Sequence, residues 1–404
     1  MDSISGERDD ATAGLFIACA GLLLAVGTLM VFSSSITANP SQTEQQYLSR
    51  QLLFLLLAGL AGIGVSRLPS GLWPRLAPLL FGATILLLIL VLVPGVGRTV
   101  NGAQRWIRLG PISLQPSETA KLTLPMLLCL WRCRGRHARA GDACGDLFNL
   151  AGGIALAGGT MFLIAIEPDL GTALFLGMST LLVFWLTGCP ARYFFALAGC
   201  AVPLALTVAF LRPYQLARLQ GFVSTWFHPE EAPYQVQQSL TTLGVGGISG
   251  VGLGKGWQKL SFLPEANTDF VFAVIGEELG LIGTLSVIAL WGGLYLTGLR
   301  LVRRVPRHSF AGVLSLTLLA QLVIQAAVNM AVVTALLPPK GISHPFISYG
   351  GSNLIVSILS LGMILSLTRP PTRGVHLNSS NSLHTIEVSR SWGLRLLGRW
   401  TAFK

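Results

Sequence analysis

A chain of 404 residues that is 52% hydrophobic and only 11% charged has too few polar side chains to coat a water-soluble globule of its size. A soluble enzyme is therefore excluded, and the expected fold class is an all-α polytopic membrane protein with about ten transmembrane helices. The net charge of +11 would suit a nucleic-acid partner in a soluble protein. In a membrane protein, basic loops on the inner face account for most of it, so no nucleic acid is expected.

Residues 1–12 carry Asp2, Glu7, Asp9 and Asp10 against Arg8 alone, which does not suit a leader, so the apolar run 13–33 reads as a retained helix. Further spans are expected near 51–66, 76–95, 119–132, 149–166, 171–188, 193–211, 269–298, 309–337 and 351–368. Residues 13–368 thus form one transmembrane domain. Arg132, Arg134, Arg136 and Arg139 follow the fourth span, and Arg300, Arg303, Arg304 and Arg307 the eighth. Both loops are expected on the cytoplasmic side, which puts both termini inside. Residues 34–50, 96–118, 167–170, 212–268 and 338–350 are left outside, and 212–268 is a large extracytoplasmic loop between helices 7 and 8. The tail 369–404 ends with Trp392, Leu396, Trp400 and Phe403 on one helical face, flanked by Arg395, Arg399 and Lys404. It reads as a cytoplasmic tail, either a membrane-surface helix or a solvated segment.

The outer intervals hold bases that topology does not explain: Arg98, Arg105, Arg108, Lys121, Arg212, Arg218, Lys255, Lys259 and Lys340. Acids gather on the same side, among them Glu118, Glu167, Asp169, Glu265 and Asp269, with Glu277 and Glu278 deeper. Ionisable groups at membrane depth are costly and point to function, so a site facing outward is expected.

Between Asn101 and Leu122, Gly102, Gly110, Pro111 and Pro116 break any helix, and Ser117 with Glu118 can cap the next one. Arg105, Arg108 and Lys121 suit a diphosphate, and Trp106 can stack on a sugar or line a lipid groove. The alternative is an interfacial loop with a belt tryptophan. Glu167-Pro168-Asp169 makes a tight turn, read as structural pairing with an outer cation in preference to catalysis. The glycine-dense stretch Gly244–Gly256 lacks the strand-then-helix context of a nucleotide fold and is expected to be a mobile loop bounding a cleft.

Asp269 stands where the eighth span begins. It reads either as the helix cap or as a functional carboxylate, with Ala273, Gly276, Gly280 and Gly283 below it on one small-residue face. Tyr349-Gly350-Gly351-Ser352 is expected to pack against the same site, and His344 to titrate near neutrality. Cys133, His137 and Cys144 match no familiar metal spacing.

Taken together, NGAQRWIRLGPISLQPSETAKL at 101–122, EPDLGTA at 167–173, YQVQQSL at 234–240, GVGLGKGWQKLSFLPEANTDFVFAVIGEELGLIG at 250–283 and KGISHPFISYGGSNL at 340–354 resemble the SEDS family (shape, elongation, division and sporulation). The resemblance is nearer to its cell-division member than to its elongation member. It implies a peptidoglycan glycosyltransferase in the inner membrane at the division site. Its substrate would be lipid II, working with a class B penicillin-binding transpeptidase and other division proteins. The family's essential acid falls on Asp269, and its motif Arg, Trp, Glu and Lys on Arg105, Trp106, Glu118 and Lys121. Arg108, Lys259 and Glu265 join these as expected substrate-binding residues, with Glu167, Asp169, Asn267 and Tyr349 supporting. This chain departs at Asn267, where the family usually has His, and at Gly256 and Asn353, where Ser is common. No cofactor is required, and a divalent cation such as Mg2+ is left open. The rival expectations are an elongation polymerase, a lipid II flippase using Glu277, Glu278, Gln321, Gln325 and Asn329 as a polar track, and a noncatalytic scaffold.

Overall fold

A computed structural model describes residues 2–35, 42–100, 103–110, 112–138, 143–210, 213–257 and 262–369. Arg212, Lys259 and the tail beyond Arg369 lie outside the described residues, so the tail helix expected there is not placed. The chain divides into Met1–Thr368 and Arg369–Lys404, and the fold below is that of the first unit.

Its helices are α1 (Asp2–Ser35), α2 (Gln42–Arg67), α3 (Trp73–Leu92), α4 (Pro116–Ala138), α5 (Ala143–Ile166) and α6 (Leu170–Leu186). Then follow α7 (Ala191–Phe210), α8 (Pro213–Phe227), α9 (Tyr234–Gly246), α10 (Val271–Val302), α11 (Phe310–Val333) and α12 (Gly351–Thr368). Among the described residues α1, α2, α3, α5, α10, α11 and α12 are long and apolar enough to cross a membrane, while α6 is apolar but shorter. α11 and α12 are the inner helices: 61% and 78% of their spans are buried, against 22% for α2. The outer helices leave Leu56, Leu60, Leu79 and Phe162 exposed, as side chains meeting lipid should be.

Two departures correct the expectations. The fold is not purely helical: β1 (Gly97–Val100), β2 (Ala103–Leu109) and β3 (Ile112–Leu114) form an antiparallel sheet in that order, with Arg98 opposite Trp106 and Ile107 opposite Leu114. Strand alternation puts Ala103, Arg105 and Ile107 on one face, and Ala103 and Ile107 are buried. The interval 212–268 is also not a plain loop, since it contains α8 and α9.

The glycine-dense stretch is docked on α10, contrary to the free loop expected. At Gly280 the helix breaks (φ 67°, ψ −163°). An unbroken helix would pair the carbonyls of Glu277 and Glu278 with the amides of Leu281 and Ile282. Here Val251 and Gly252 donate to those carbonyls at 2.9 and 3.1 Å, and the two amides donate to Gly247 and Ile248 at 3.0 and 3.2 Å. These four backbone groups freed by the kink are thus taken by the loop. A β-carbon at Gly280 would stand 2.4 Å from the Gly250 nitrogen, so the crossing demands glycine. The loop also reaches a side chain, Trp257 N donating to Glu277 at 2.8 Å, while Ser33 Oγ on α1 donates to Glu278 at 2.8 and 2.6 Å. The small-residue face below Asp269 therefore receives this loop and α9.

Candidate active site

Residues 265–270 form a tight turn ahead of α10. Glu265 has a positive φ of 55°, its carbonyl accepts from the amides of Thr268 (3.1 Å) and Phe270 (3.2 Å), and its carboxylate accepts from Thr268 Oγ1 at 2.8 Å. Phe270 occupies the cap position of α10, and no side chain caps it. Asp269 is therefore not spent on the helix terminus.

The turn is fastened to the segment before α12. Tyr349 N donates to the Asn267 carbonyl at 2.9 Å, and Ser348 Oγ donates to the Thr268 carbonyl. From α11, Asn329 Nδ2 donates to both the Asp269 carbonyl (2.7 Å) and the Ile342 carbonyl (2.9 Å). One turn earlier Gln325 Nε2 donates to the Ser343 carbonyl (2.9 Å) and to Asn353 Oδ1 (3.0 Å). Two amides spaced i and i+4 on one helix face thus grip adjacent residues of the 338–350 segment, and the second also grips Asp269.

The Asp269 carboxyl stands against Gly341, where a β-carbon would lie 3.1 Å from Oδ2. Among the described residues nothing hydrogen-bonds to it. Burial, then the Glu265 carboxylate, push it from the ordinary 3.8 up to about 7, against the pull of Arg218. Arg218, on α8, also donates to the Pro339 carbonyl at 3.2 Å. A carboxyl poised near neutrality can take a proton from a hydroxyl and give it up again.

The other expected residues mostly serve each other. Arg105 donates to the carbonyls of Glu167 (3.0 Å) and Pro168 (2.5 Å), so its guanidinium holds the α5–α6 turn. Asp169 caps α6 by accepting from Thr172 N at 3.3 Å, and it accepts from Gln115 Nε2 and Ser117 Oγ, both at 3.1 Å. Glu167 is buried, and among the described residues neither of its carboxyl oxygens is hydrogen-bonded. Burial, then Asp169, push it up to about 8 against Arg105. Lys121 pairs with Glu118 at 2.7 Å, both buried, and its ammonium reaches Gln325 Oε1 at 3.3 Å. That ion pair is thereby joined through Gln325 to the segment against which Asp269 sits. Trp106 is half-buried, and Arg108 is exposed and bonds to the Gly110 carbonyl at 3.1 Å.

His344 corrects an expectation. It is fully buried, stacked on Phe272 at 6.4 Å and 11°, and burial lowers it to about 4, so it is neutral across the physiological range. Sequence reasoning gave Gln325 and Asn329 only a transport role and counted Arg218 among the unexplained outer bases without a role of its own. The i, i+4 amide pair on an otherwise apolar helix was the signal available for the first two.

Fold and site together define a polytopic helical membrane protein with a poised carboxyl in a polar turn ahead of one of its apolar helices. Residues 13–372 match the model of the "Cell cycle protein" family of FtsW, RodA and SpoVE, and the chain belongs to that family. It is 37% identical over 350 residues to the probable peptidoglycan glycosyltransferase FtsW of Legionella pneumophila, covering 85% of this chain and 88% of that one. It is 38% identical over 357 residues to the protein of the same name from Coxiella burnetii, covering 87% and 94%. A solved peptidoglycan synthase complex, described as coordinating polymerization and crosslinking, contains a chain that superposes with TM-score 0.70 at 29% identity, covering 87% of this chain and 96% of that one. Thermus thermophilus RodA superposes with TM-score 0.62 at 28% identity, covering 87% and 95%.

Proposed function

We propose that this chain polymerises lipid II as the cell-division peptidoglycan glycosyltransferase of its cell, with Asp269 as the base. The observation that carries the assignment is the Asp269 carboxyl itself: it caps nothing, is pushed up to about 7 and is held in place through its own backbone. The 4-hydroxyl of an acceptor sugar attacks the anomeric carbon of a second lipid-linked sugar while Asp269 takes the hydroxyl proton. The polyprenyl diphosphate departs with the bonding pair, and the configuration inverts, which needs only one carboxylate base.

In this reading α4, α6 and α7 join the seven long apolar helices to give ten spans. Both termini lie in the cytoplasm, 212–268 lies outside the inner membrane, residues 1–12 and 369–404 flank the 13–368 domain, and the protein works at the division site. A class B penicillin-binding transpeptidase is its partner, with other division proteins. Against the flippase reading, the polar side chains that would form its track are engaged elsewhere: Glu277 and Glu278 bind the docked loop and Ser33, Gln321 donates to Ser179 at 2.6 Å, and Gln325 and Asn329 grip the 338–350 segment.

The test is lipid II polymerisation by the purified protein with and without its transpeptidase, comparing wild type with Asp269→Asn in the presence of moenomycin to silence classical polymerases. Glycan strands from wild type and none from Asp269→Asn are expected. Strands from both would remove Asp269 from the chemistry, and lipid II crossing liposome bilayers without strand formation would favour transport.

A further inference from the structure

The diphosphate needs a cation, and Arg105 and Lys121, two of the bases first expected to supply one, have partners inside the protein. Arg105 is bonded to two carbonyls, and Lys121 to Glu118 and Gln325. Lys340 differs. It is half-buried, and among the described residues no carboxylate or carbonyl is bonded to its ammonium. It lines a cleft of about 220 Å3 between α6 and α11, whose other walls include Leu174, Met178, Val328 and Val332. Leu174 and Met178 are 38% and 36% exposed, so the α6 side of the cleft opens toward the surroundings, where the bilayer would be.

The backbone around Lys340 is fixed on both sides, at Pro339 by Arg218 and at Ile342 by Asn329. The next residue, Gly341, abuts the Asp269 carboxyl. The cation that lines this apolar cleft therefore adjoins in sequence the glycine that the proposed base abuts.

We propose that this cleft seats the donor substrate, with Lys340 binding its diphosphate and the α6–α11 walls taking the first part of the polyprenyl chain. The inference rests on the glycosyltransferase reading above and gives the leaving group its place. In the step, the acceptor oxygen bonds to the anomeric carbon, the bond from that carbon to the diphosphate oxygen breaks, and its electron pair leaves with the diphosphate toward Lys340. The acceptor proton passes to Asp269. Inversion requires attack and departure on opposite faces of the sugar, so in this arrangement Lys340 receives the diphosphate on the face away from Asp269. Burial lowers the Lys340 ammonium from its ordinary range, as befits a cation without a counter-ion; a bound diphosphate would supply one.

The test uses the full-length chain with its transpeptidase in nanodiscs of zwitterionic lipid, titrated with undecaprenyl diphosphate and, separately, with phosphatidylglycerol. Lys340→Gln should raise the Kd for undecaprenyl diphosphate at least about tenfold, the loss of one charge-assisted contact. Lys340→Arg should recover most of the affinity. Leu174→Trp, which fills the cleft and keeps the lysine, should also weaken the diphosphate lipid and raise KM for lipid II. Lys340→Gln affinity within twofold of wild type overturns the lysine's part, and unchanged Leu174→Trp affinity overturns the cleft's part. Equal Lys340 dependence for phosphatidylglycerol would mark a general anionic-lipid contact and overturn the assignment to the donor. Asp269→Asn should bind undecaprenyl diphosphate as wild type does while making no strands. If that variant polymerises, the Asp269 reading falls separately, whatever the Lys340 variants show.

Discussion

Asp169 and Asp269 each stand just ahead of an apolar helix and look alike in sequence, yet the fold uses them in opposite ways. Asp169 is saturated: it caps α6 and accepts from Gln115 and Ser117, tying the outer sheet's exit to the α5–α6 turn. Asp269 caps nothing, and among the described residues its carboxyl accepts no hydrogen bond. Its position is fixed by what other residues do to its backbone carbonyl and to its neighbours'. The difference is one of division of labour. A carboxylate that accepts three hydrogen bonds has its oxygens taken up by the fold, whereas one held by its backbone keeps its oxygens for a substrate.

Removing the two carboxylates should therefore give opposite profiles. Asp169→Ala loses a helix cap and strands the Gln115 and Ser117 donors, costing about 2 kcal/mol of stability. Asp269→Asn should abolish catalysis without that cost, and the size of its stability effect depends on pH. The folded state holds the Asp269 proton more tightly than the unfolded chain, because burial raises it from 3.8 to about 7. Stability is thus highest below pH 4 and falls as pH rises toward 7. Melting curves should show Asp269→Asn matching wild type at pH 4 and exceeding it at pH 8, and wild-type polymerisation should climb through pH 7. A variant that melts below wild type at pH 8 would mean the carboxylate has a structural partner after all.

The next effect in size tests whether the backbone grip matters. Asn329→Ala frees the carbonyls of Asp269 and Ile342 and lets the carboxyl drift. Because displacement of about 1 Å can cost a hundredfold, kcat should fall roughly ten- to a hundredfold with KM little changed. A matching rise in KM alone would instead place Asn329 in substrate binding.

How much of this was legible beforehand follows from the range of the interactions. α12 was expected at 351–368 and is found at Gly351–Thr368, because an unbroken apolar run between turn residues is a local signal. The position of Asp269 at a helix entrance was equally local. The sheet was hidden: in β2 the inward face alternates Ala103, Arg105 and Ile107, and an arginine on that face conceals the apolar period of a strand. Its reason lies at residues 167 and 168, whose carbonyls it binds across the fold. The kink at Gly280 was hidden too, since the loop that satisfies it lies some thirty residues upstream. Periodicity reads what a segment does alone and is silent about which distant segment will pair with it.

The smallest expected effect concerns the acid beside Asp169. Glu167 is buried and raised to about 8, so it carries its proton at pH 7 and is electrically equivalent to glutamine. Arg105 does not reverse this, because its guanidinium is bonded to the turn's carbonyls, while burial and the Asp169 charge both oppose ionisation. Glu167→Gln should then leave polymerisation at pH 6.5 essentially unchanged and match the wild-type melting temperature at pH 4, within about 0.5 kcal/mol. Between pH 4.5 and about 8 the unfolded chain gives up this proton while the folded protein keeps it, so wild-type stability is lost as pH climbs through that window. The glutamine variant should therefore melt above wild type at pH 9. If it melts lower at pH 6.5, Glu167 is ionised and paired with Arg105, and the turn holds two working carboxylates instead of one.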